Sequence, residues 1–155
     1  MATLHFTATT KATPEQFTAA LTDFGPGRAE LFENSTDDEL EVHSRGPTEA
    51  DVTEGSKGIW ERLHYDWSDP DRVVLTTTDS NTWSNKSGHT YAFKRLPDGM
   101  TEVEYTVVRD GKTVKGHLLG AVVGTVGRGV LKKAFEHAVK AIEARGDSGG
   151  SPPPQ

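Results

Sequence analysis

At 155 residues, 34% hydrophobic and 26% charged, the chain is too polar for a membrane protein and too apolar for a disordered one, and its length suits one domain. A formal charge of −6 excludes a nucleic-acid binder of the usual kind, which needs Lys and Arg to neutralise phosphates. The absence of cysteine excludes a disulfide framework, a thiolate nucleophile and thiolate metal ligands, and it fits a reducing cytoplasm.

The first residues show no basic region followed by an apolar stretch, so no signal peptide is expected. Leu4, Phe6 and Ala8 alternate with polar residues, the period of a half-buried strand. Thr13-Pro14-Glu15-Gln16 predicts a helix start, with Thr13 as N-cap, Pro14 in the first turn and Gln16 completing a capping box. Phe17, Ala20, Leu21 and Phe24 give that helix its apolar face, Gly25-Pro26-Gly27 ends it, and a short helical turn is expected over Arg28 to Phe32.

From residue 38 to 110 the texture is that of strands. Short ones are predicted at Leu40–Val42 and Ala50–Thr53, and longer ones at Ile59–Trp67, Val73–Trp83, Gly88–Leu96 and Thr101–Arg109. The last four are joined by short, turn-rich connections and predict an antiparallel meander. A final helix is predicted over Val114 to Ala144 as one element. The run Leu118 to Leu131 is broken by glycines and Arg128, and falls short of the ~18 apolar residues of a membrane span, so stable membrane insertion is not expected. Residues 1–145 form the predicted domain, and the Gly/Ser/Pro-rich 146–155 is expected to be a disordered tail.

The order strand, two helices, six strands, long helix resembles the START-like helix-grip superfamily, which includes polyketide cyclase/dehydrase-like SRPBCC proteins. The segments that carry the resemblance are the first strand leading into Ala12-Thr13-Pro14-Glu15-Gln16-Phe17 and the aromatic strand Trp60 to Pro70. It implies an α+β fold, with a curved antiparallel sheet of about seven strands around the C-terminal helix. It also implies a cavity for a hydrophobic ligand such as a lipid, polyketide or aromatic metabolite. The superfamily has no universal catalytic signature, so the resemblance assigns no catalytic residue.

Strand periodicity indicates which side chains face that cavity. With Leu63, Tyr65 and Trp67 inward, the predicted turns place Trp67 opposite Val73, Tyr65 opposite Leu75 and Glu61 opposite Asp79. They also place Trp83 opposite His89, Asn81 opposite Tyr91, Phe93 opposite Val103 and Tyr91 opposite Tyr105. The candidate ligand-binding set is therefore Ile59, Leu63, Tyr65, Trp67, Leu75, Asn81, Trp83, Tyr91, Phe93 and Tyr105, with Gly120 and Gly124 from the last helix. Glu61, Asp79 and His89 are the candidate proton-transfer groups, since two opposed carboxylates raise one another's pKa. Against this stand a carboxylate turned to the rim and a histidine that simply satisfies the core.

Gly116, Gly120 and Gly124 recur every four residues along one helical face, at a cost of roughly 1 kcal/mol each relative to alanine. Either the helix packs closely there or the segment widens or gates a cavity; a phosphate loop is excluded by the missing Gly-Lys-Ser/Thr. The six histidines lack metal-ligand spacing, and neither a serine-hydrolase elbow nor a cofactor motif is present, so no metal or cofactor is expected. Three functions remain: binding of a hydrophobic small molecule, a cyclase/dehydratase-type enzyme, or an interaction module with a filled core.

Overall fold

The computed structural model describes residues 1–125 and 127–147. Seven strands form one antiparallel sheet: β1 (Ala2–Thr10), β2 (Glu41–Arg45), β3 (Glu49–Ser56), β4 (Ile59–Asp66), β5 (Arg72–Ser80), β6 (Gly88–Arg95) and β7 (Thr101–Arg109). Their spatial order is β1-β7-β6-β5-β4-β3-β2, so the first strand pairs with the last and the six later strands run as a continuous meander. Between β1 and β2 lie α1 (Pro14–Leu21) and two short 3-10 turns at Arg28–Glu30 and Asp37–Glu39. The predicted capping box is present: the Thr13 hydroxyl accepts from the Gln16 amide and the Gln16 side chain accepts from the Thr13 amide.

The C-terminal segment differs from the single helix expected. It comprises α2 (Val114–Gly124) and α3 (Gly127–Asp147). Thr125 leaves helical geometry at φ −119°, ψ −88°, with its amide bonded to the Val122 carbonyl. Gly127 sits so near that carbonyl that a Cβ would lie 3.1 Å from it, which explains why the break falls among small residues. The end of α3 includes Gly146 and Asp147, two residues assigned to the tail by sequence; the remainder of that expected tail, residues 148–155, lies outside the described residues.

One side of the sheet holds the core. Alternate residues Leu63 and Tyr65 of β4, Val73 and Leu75 of β5, Tyr91 and Phe93 of β6, and Val103, Tyr105 and Val107 of β7 are all buried. Phe135, Val139 and Ile142 of α3 cover them, and the Phe135 ring stacks on Tyr105 at 5.4 Å. Phe17 of α1 fills the other end, against Tyr91 and Phe93.

Three of the predicted pairings occur: Tyr65 faces Leu75, Phe93 faces Val103 and Tyr91 faces Tyr105. Two hairpin registers differ. A bulge in β5 places Leu63 opposite Thr77 but Arg62 opposite Asp79, so Glu61 faces Ser80 and not Asp79. Residues 81–87 leave the ladder entirely, so His89 faces Leu75 and Tyr91 faces Val73, in place of Trp83 and Asn81. Trp83 instead bridges to Gly111 beyond β7.

Candidate functional site

β4, β6 and β7 each place a polar residue at an inward position of the strand period. These are Glu61, His89 and Arg109, which converge in one buried cluster with Tyr105. The Glu61 carboxylate accepts from Arg109 Nη1 at 2.7 Å, from Arg109 Nη2 at 3.3 Å and from the Thr77 hydroxyl at 2.6 Å. Arg109 Nη2 also contacts Nε2 of His89, and His89 Nδ1 lies 2.7 Å from the Tyr105 hydroxyl. A guanidinium has only hydrogens to offer, so His89 Nε2 must be the acceptor. The proton is then on Nδ1, which donates to Tyr105.

The charges follow from this arrangement. Burial alone would push the Glu61 carboxyl up, but the Arg109 guanidinium outweighs it and holds the group well below the ordinary carboxylate range. Burial pushes the His89 imidazole down, and neighbouring Arg109 adds to that, against a smaller opposing pull from Glu61. Burial likewise raises the Tyr105 phenol, to about 12. The cluster is thus an ion pair, a neutral imidazole and a neutral phenol.

Aromatic rings surround the cluster. Tyr91 stacks on Tyr105 at 4.6 Å, Tyr105 stacks on Phe135, and Arg109 lies over the Trp83 ring at 5.1 Å. Side chains of His89, Glu61 and Arg109 keep 8–9% of their surface accessible, so the cluster is buried but not wholly cut off from solvent.

A second buried cluster lies toward α1. Arg28 Nε donates to Glu54 at 2.8 Å, Arg28 Nη2 to the Tyr65 hydroxyl at 2.9 Å, and Ser35 to Glu54 at 2.6 Å; Tyr65 in turn donates to Glu54. Arg28 also caps the chain after α1 by donating to the Asp23 carbonyl at 2.8 Å. Every one of these groups is matched, and Phe24 and Phe32 sandwich the guanidinium at 4.9 Å each. This cluster ties the loop after α1 to β3 and β4. Near it a shallow crevice of about 180 Å³, open solvent included, is lined by Ala20, Asp23, Pro26, Leu31 and Arg145.

The sequence-selected residues fall into three groups. Glu61, His89, Leu63, Leu75, Trp83, Tyr91, Phe93 and Tyr105 lie on the concave side, buried. Tyr65 is also buried but belongs to the Arg28 cluster, while Ile59 and Trp67 are half-buried near the ends of β4, Trp67 beneath the Arg45 guanidinium at 5.6 Å. Asp79 and Asn81 are exposed. Asp79 pairs with Lys112 at 3.3 Å, and Asn81 clasps the β3–β4 hairpin through the Trp60 amide and the Gly58 carbonyl. Gly120 is buried against Trp83 and the Arg109 carbonyl, and Gly124 is exposed beside Ala2. The structure therefore does not bring Asp79 to Glu61.

Arg109, Arg28 and Glu54 were not selected from sequence. Arg109 continues the inward set Val103, Tyr105, Val107, and Glu54 continues Ala50, Val52. Period-two reading carried one step further would have found both. Among the described residues, no three His, Asp or Glu side chains are arranged to hold a metal ion, and no helix is long and apolar enough to cross a membrane.

No protein-family sequence model matches this chain, and no curated protein matches it in sequence. Solved structures do match in three dimensions. The Zhui aromatase/cyclase from Streptomyces sp. R1128 superposes with a TM-score of 0.73 at 15% identity, over 97% of this chain and 98% of that one. A START superfamily protein from Mycobacterium smegmatis gives 0.68 at 14% identity over 94% and 97%. The chain has the START-like helix-grip fold. The di-domain ARO/CYC protein StfQ of the steffimycin biosynthetic pathway shares this START-like fold, at a TM-score of 0.61 and 16% identity, with 92% of this chain matching 45% of that one. START-like architecture accounts for the β1–β7 pairing, the meander and the packing of the last helix across the sheet.

Proposed function

We propose that the concave side binds a small molecule with an apolar, aromatic body and at least one oxygen that accepts a hydrogen bond. The observation that carries this reading is the Glu61–Arg109–His89–Tyr105 cluster, a convergent polar group set among aromatic rings. Stability alone is poorly served by burying an ion pair, since apolar side chains of similar volume do as well or better there. A few convergent polar groups in an apolar wall are the usual construction of a small-molecule site. Tyr105 accepts from His89 and shares a hydrogen bond with the Tyr91 hydroxyl, so one hydroxyl hydrogen of the two phenols is left to donate, and a ligand carbonyl or phenol oxygen is a suitable acceptor. Trp83, Tyr91 and Phe135 supply flat surface for the ligand body.

The test is native mass spectrometry of purified protein with extraction of any adduct, followed by calorimetric titration with a hydroxylated anthraquinone as probe. Tyr105→Phe keeps the ring and removes the hydroxyl, and should weaken binding by about threefold to tenfold, besides costing the fold about 1–3 kcal/mol for the buried His89 N–H left without its acceptor. Absence of both an adduct and a heat of binding, or equal affinity in the variant, counts against the reading.

Proton transfer on a bound carbonyl compound is a second reading, favoured by the neutral His89 hydrogen-bonded to Tyr105. In it Tyr105 donates to the substrate oxygen and His89 stabilises the charge left behind. Glu61, kept ionised by Arg109, serves as a fixed countercharge and not as the acid. Turnover of a poly-β-ketone substrate that vanishes in Tyr105→Phe, with ligand still bound, would favour this reading over simple binding.

A further inference from the structure

Apart from Lys115 and His117, α2 is apolar, yet much of it is in contact with solvent. Gly116 and Gly120 form its buried edge, against Thr82, Gly111 and Trp83. The opposite face carries Val114, Leu118 and Val122, 80%, 65% and 51% exposed, with exposed Ala121 among them. These positions follow the i, i+4, i+8 spacing of one helical face. Ordinarily the apolar face of a helix is buried, and an exposed patch of this kind marks a contact surface.

Charge identifies what that surface meets. Residues 111–135 contain Lys112, Lys115, Arg128, Lys132 and Lys133 and no acidic residue, so all 23 Asp and Glu of a chain of net charge −6 lie elsewhere. Lys115 and His117 border the apolar face of α2, and Arg128, Lys132 and Lys133 are exposed on the first turns of α3 beside Val130, itself 69% exposed. Of the carboxylates bordering this stretch, Asp79 pairs with Lys112 and Asp110 accepts from Ser84 at 2.6 Å, while exposed Glu136 lies one helical turn on from Lys132 and Lys133. Aliphatic side chains edged by Lys and Arg are the signature of a helix lying in the headgroup region of an anionic bilayer. A protein partner is less well matched, because the face presents no Trp, Tyr or Arg anchor of the kind that dominates protein interfaces.

From this we infer that α2 docks the protein peripherally on an anionic lipid surface, with Leu118 and Val122 entering the acyl boundary and Lys115, Lys132 and Lys133 meeting the headgroups. The inference does not depend on the ligand reading, because it uses none of the same side chains.

Co-sedimentation with liposomes tests it. Phosphatidylcholine vesicles containing about 30 mol% phosphatidylglycerol should retain the protein at least about tenfold better than pure phosphatidylcholine, and about 0.5 M salt should weaken the retention. Leu118→Asp/Val122→Asp, at exposed positions, should abolish retention while leaving the circular dichroism and unfolding midpoint unchanged. Lys132→Glu/Lys133→Glu should reduce it. Failure to sediment with the anionic vesicles, equal binding to both compositions, or a Leu118→Asp/Val122→Asp variant that binds as wild type overturns the proposal. Light scattering that shows a dimer dissolved by the same double substitution, with no vesicle binding, overturns it in favour of a second copy as the occupant.

Discussion

Arg109 Nη2 rests against His89 Nε2, and this contact fixes the imidazole as neutral, with its proton on Nδ1. Protonating His89 would place a cation against a guanidinium inside the sheet, with only Glu61, already paired to Arg109, to compensate. The Tyr105 hydroxyl on the other ring nitrogen offers no charge.

A pH dependence follows. The folded His89 pKa lies below its ordinary value near 6.5, so between the two values the unfolded chain binds more protons and stability rises with pH. His89 therefore contributes fully above about pH 6.5, and its contribution is lost as the pH falls below that. Glu61, whose folded pKa is depressed, contributes above the ordinary carboxylate range and is lost at more acidic pH. Urea unfolding at pH 7 and pH 5 should show a drop in stability that is smaller in His89→Gln, whose amide oxygen can accept from Arg109 and whose NH2 can donate to Tyr105. The other histidines are common to both proteins and cancel. An identical drop in the variant would show that the imidazole does not carry the effect.

A second expectation concerns the Arg28–Glu54 pair, whose side chains are 3% and 8% exposed. Arg28→Met leaves the Glu54 carboxylate buried with only the Tyr65 and Ser35 hydroxyls, and should cost about 3–5 kcal/mol. Adding Glu54→Met removes the stranded charge and should recover a large part of that loss. Chemical denaturation of Arg28→Met, Glu54→Met and the double variant checks this. A double variant as unstable as the sum of the two single ones would mean that the residues act independently.

The sheet was legible where period-two alternation runs unbroken. Tyr65–Leu75, Tyr91–Tyr105 and Phe93–Val103 were fixed by apolar residues recurring on one face and by short turns. Registration failed at the β5 bulge, which falls within Thr76-Thr77-Thr78, where no glycine or proline marks an extra residue. That single residue sends Asp79 outward to Lys112. The hairpin tip beyond Ser80 was similarly hidden, because Trp83 is as apolar as a strand residue but packs outside the ladder. Arg109 and Glu54 were hidden for another reason. A charge at an inward position is stable only when paired, and Glu61, the partner of Arg109, lies 48 residues away in sequence. The glycine spacing on the last helix was plain, but its cause appears only in space.

Those glycines give the third prediction, because neighbouring positions should respond with opposite sign. A Cβ on Gly116 would lie 2.4 Å from the Thr82 carbonyl oxygen and 3.2 Å from Gly111 Cα, backbone atoms that cannot swing aside. Gly116→Ala should therefore force α2 off the sheet end and cost about 1–3 kcal/mol. On Gly120 the same Cβ would meet the Arg109 carbonyl at 3.6 Å and the Trp83 ring at 3.9 Å, ordinary contact distances. Gly120→Ala should then stabilise by up to about 1 kcal/mol, through the smaller backbone entropy lost by alanine in a helix. Thermal unfolding of the two variants beside wild type reads both signs. Close packing at Gly116 predicts a lower midpoint for Gly116→Ala and an unchanged or higher one for Gly120→Ala. Equal loss in both would mean that α2 needs glycine for flexibility along its whole buried edge, since only that requirement treats a clashing site and an open one alike.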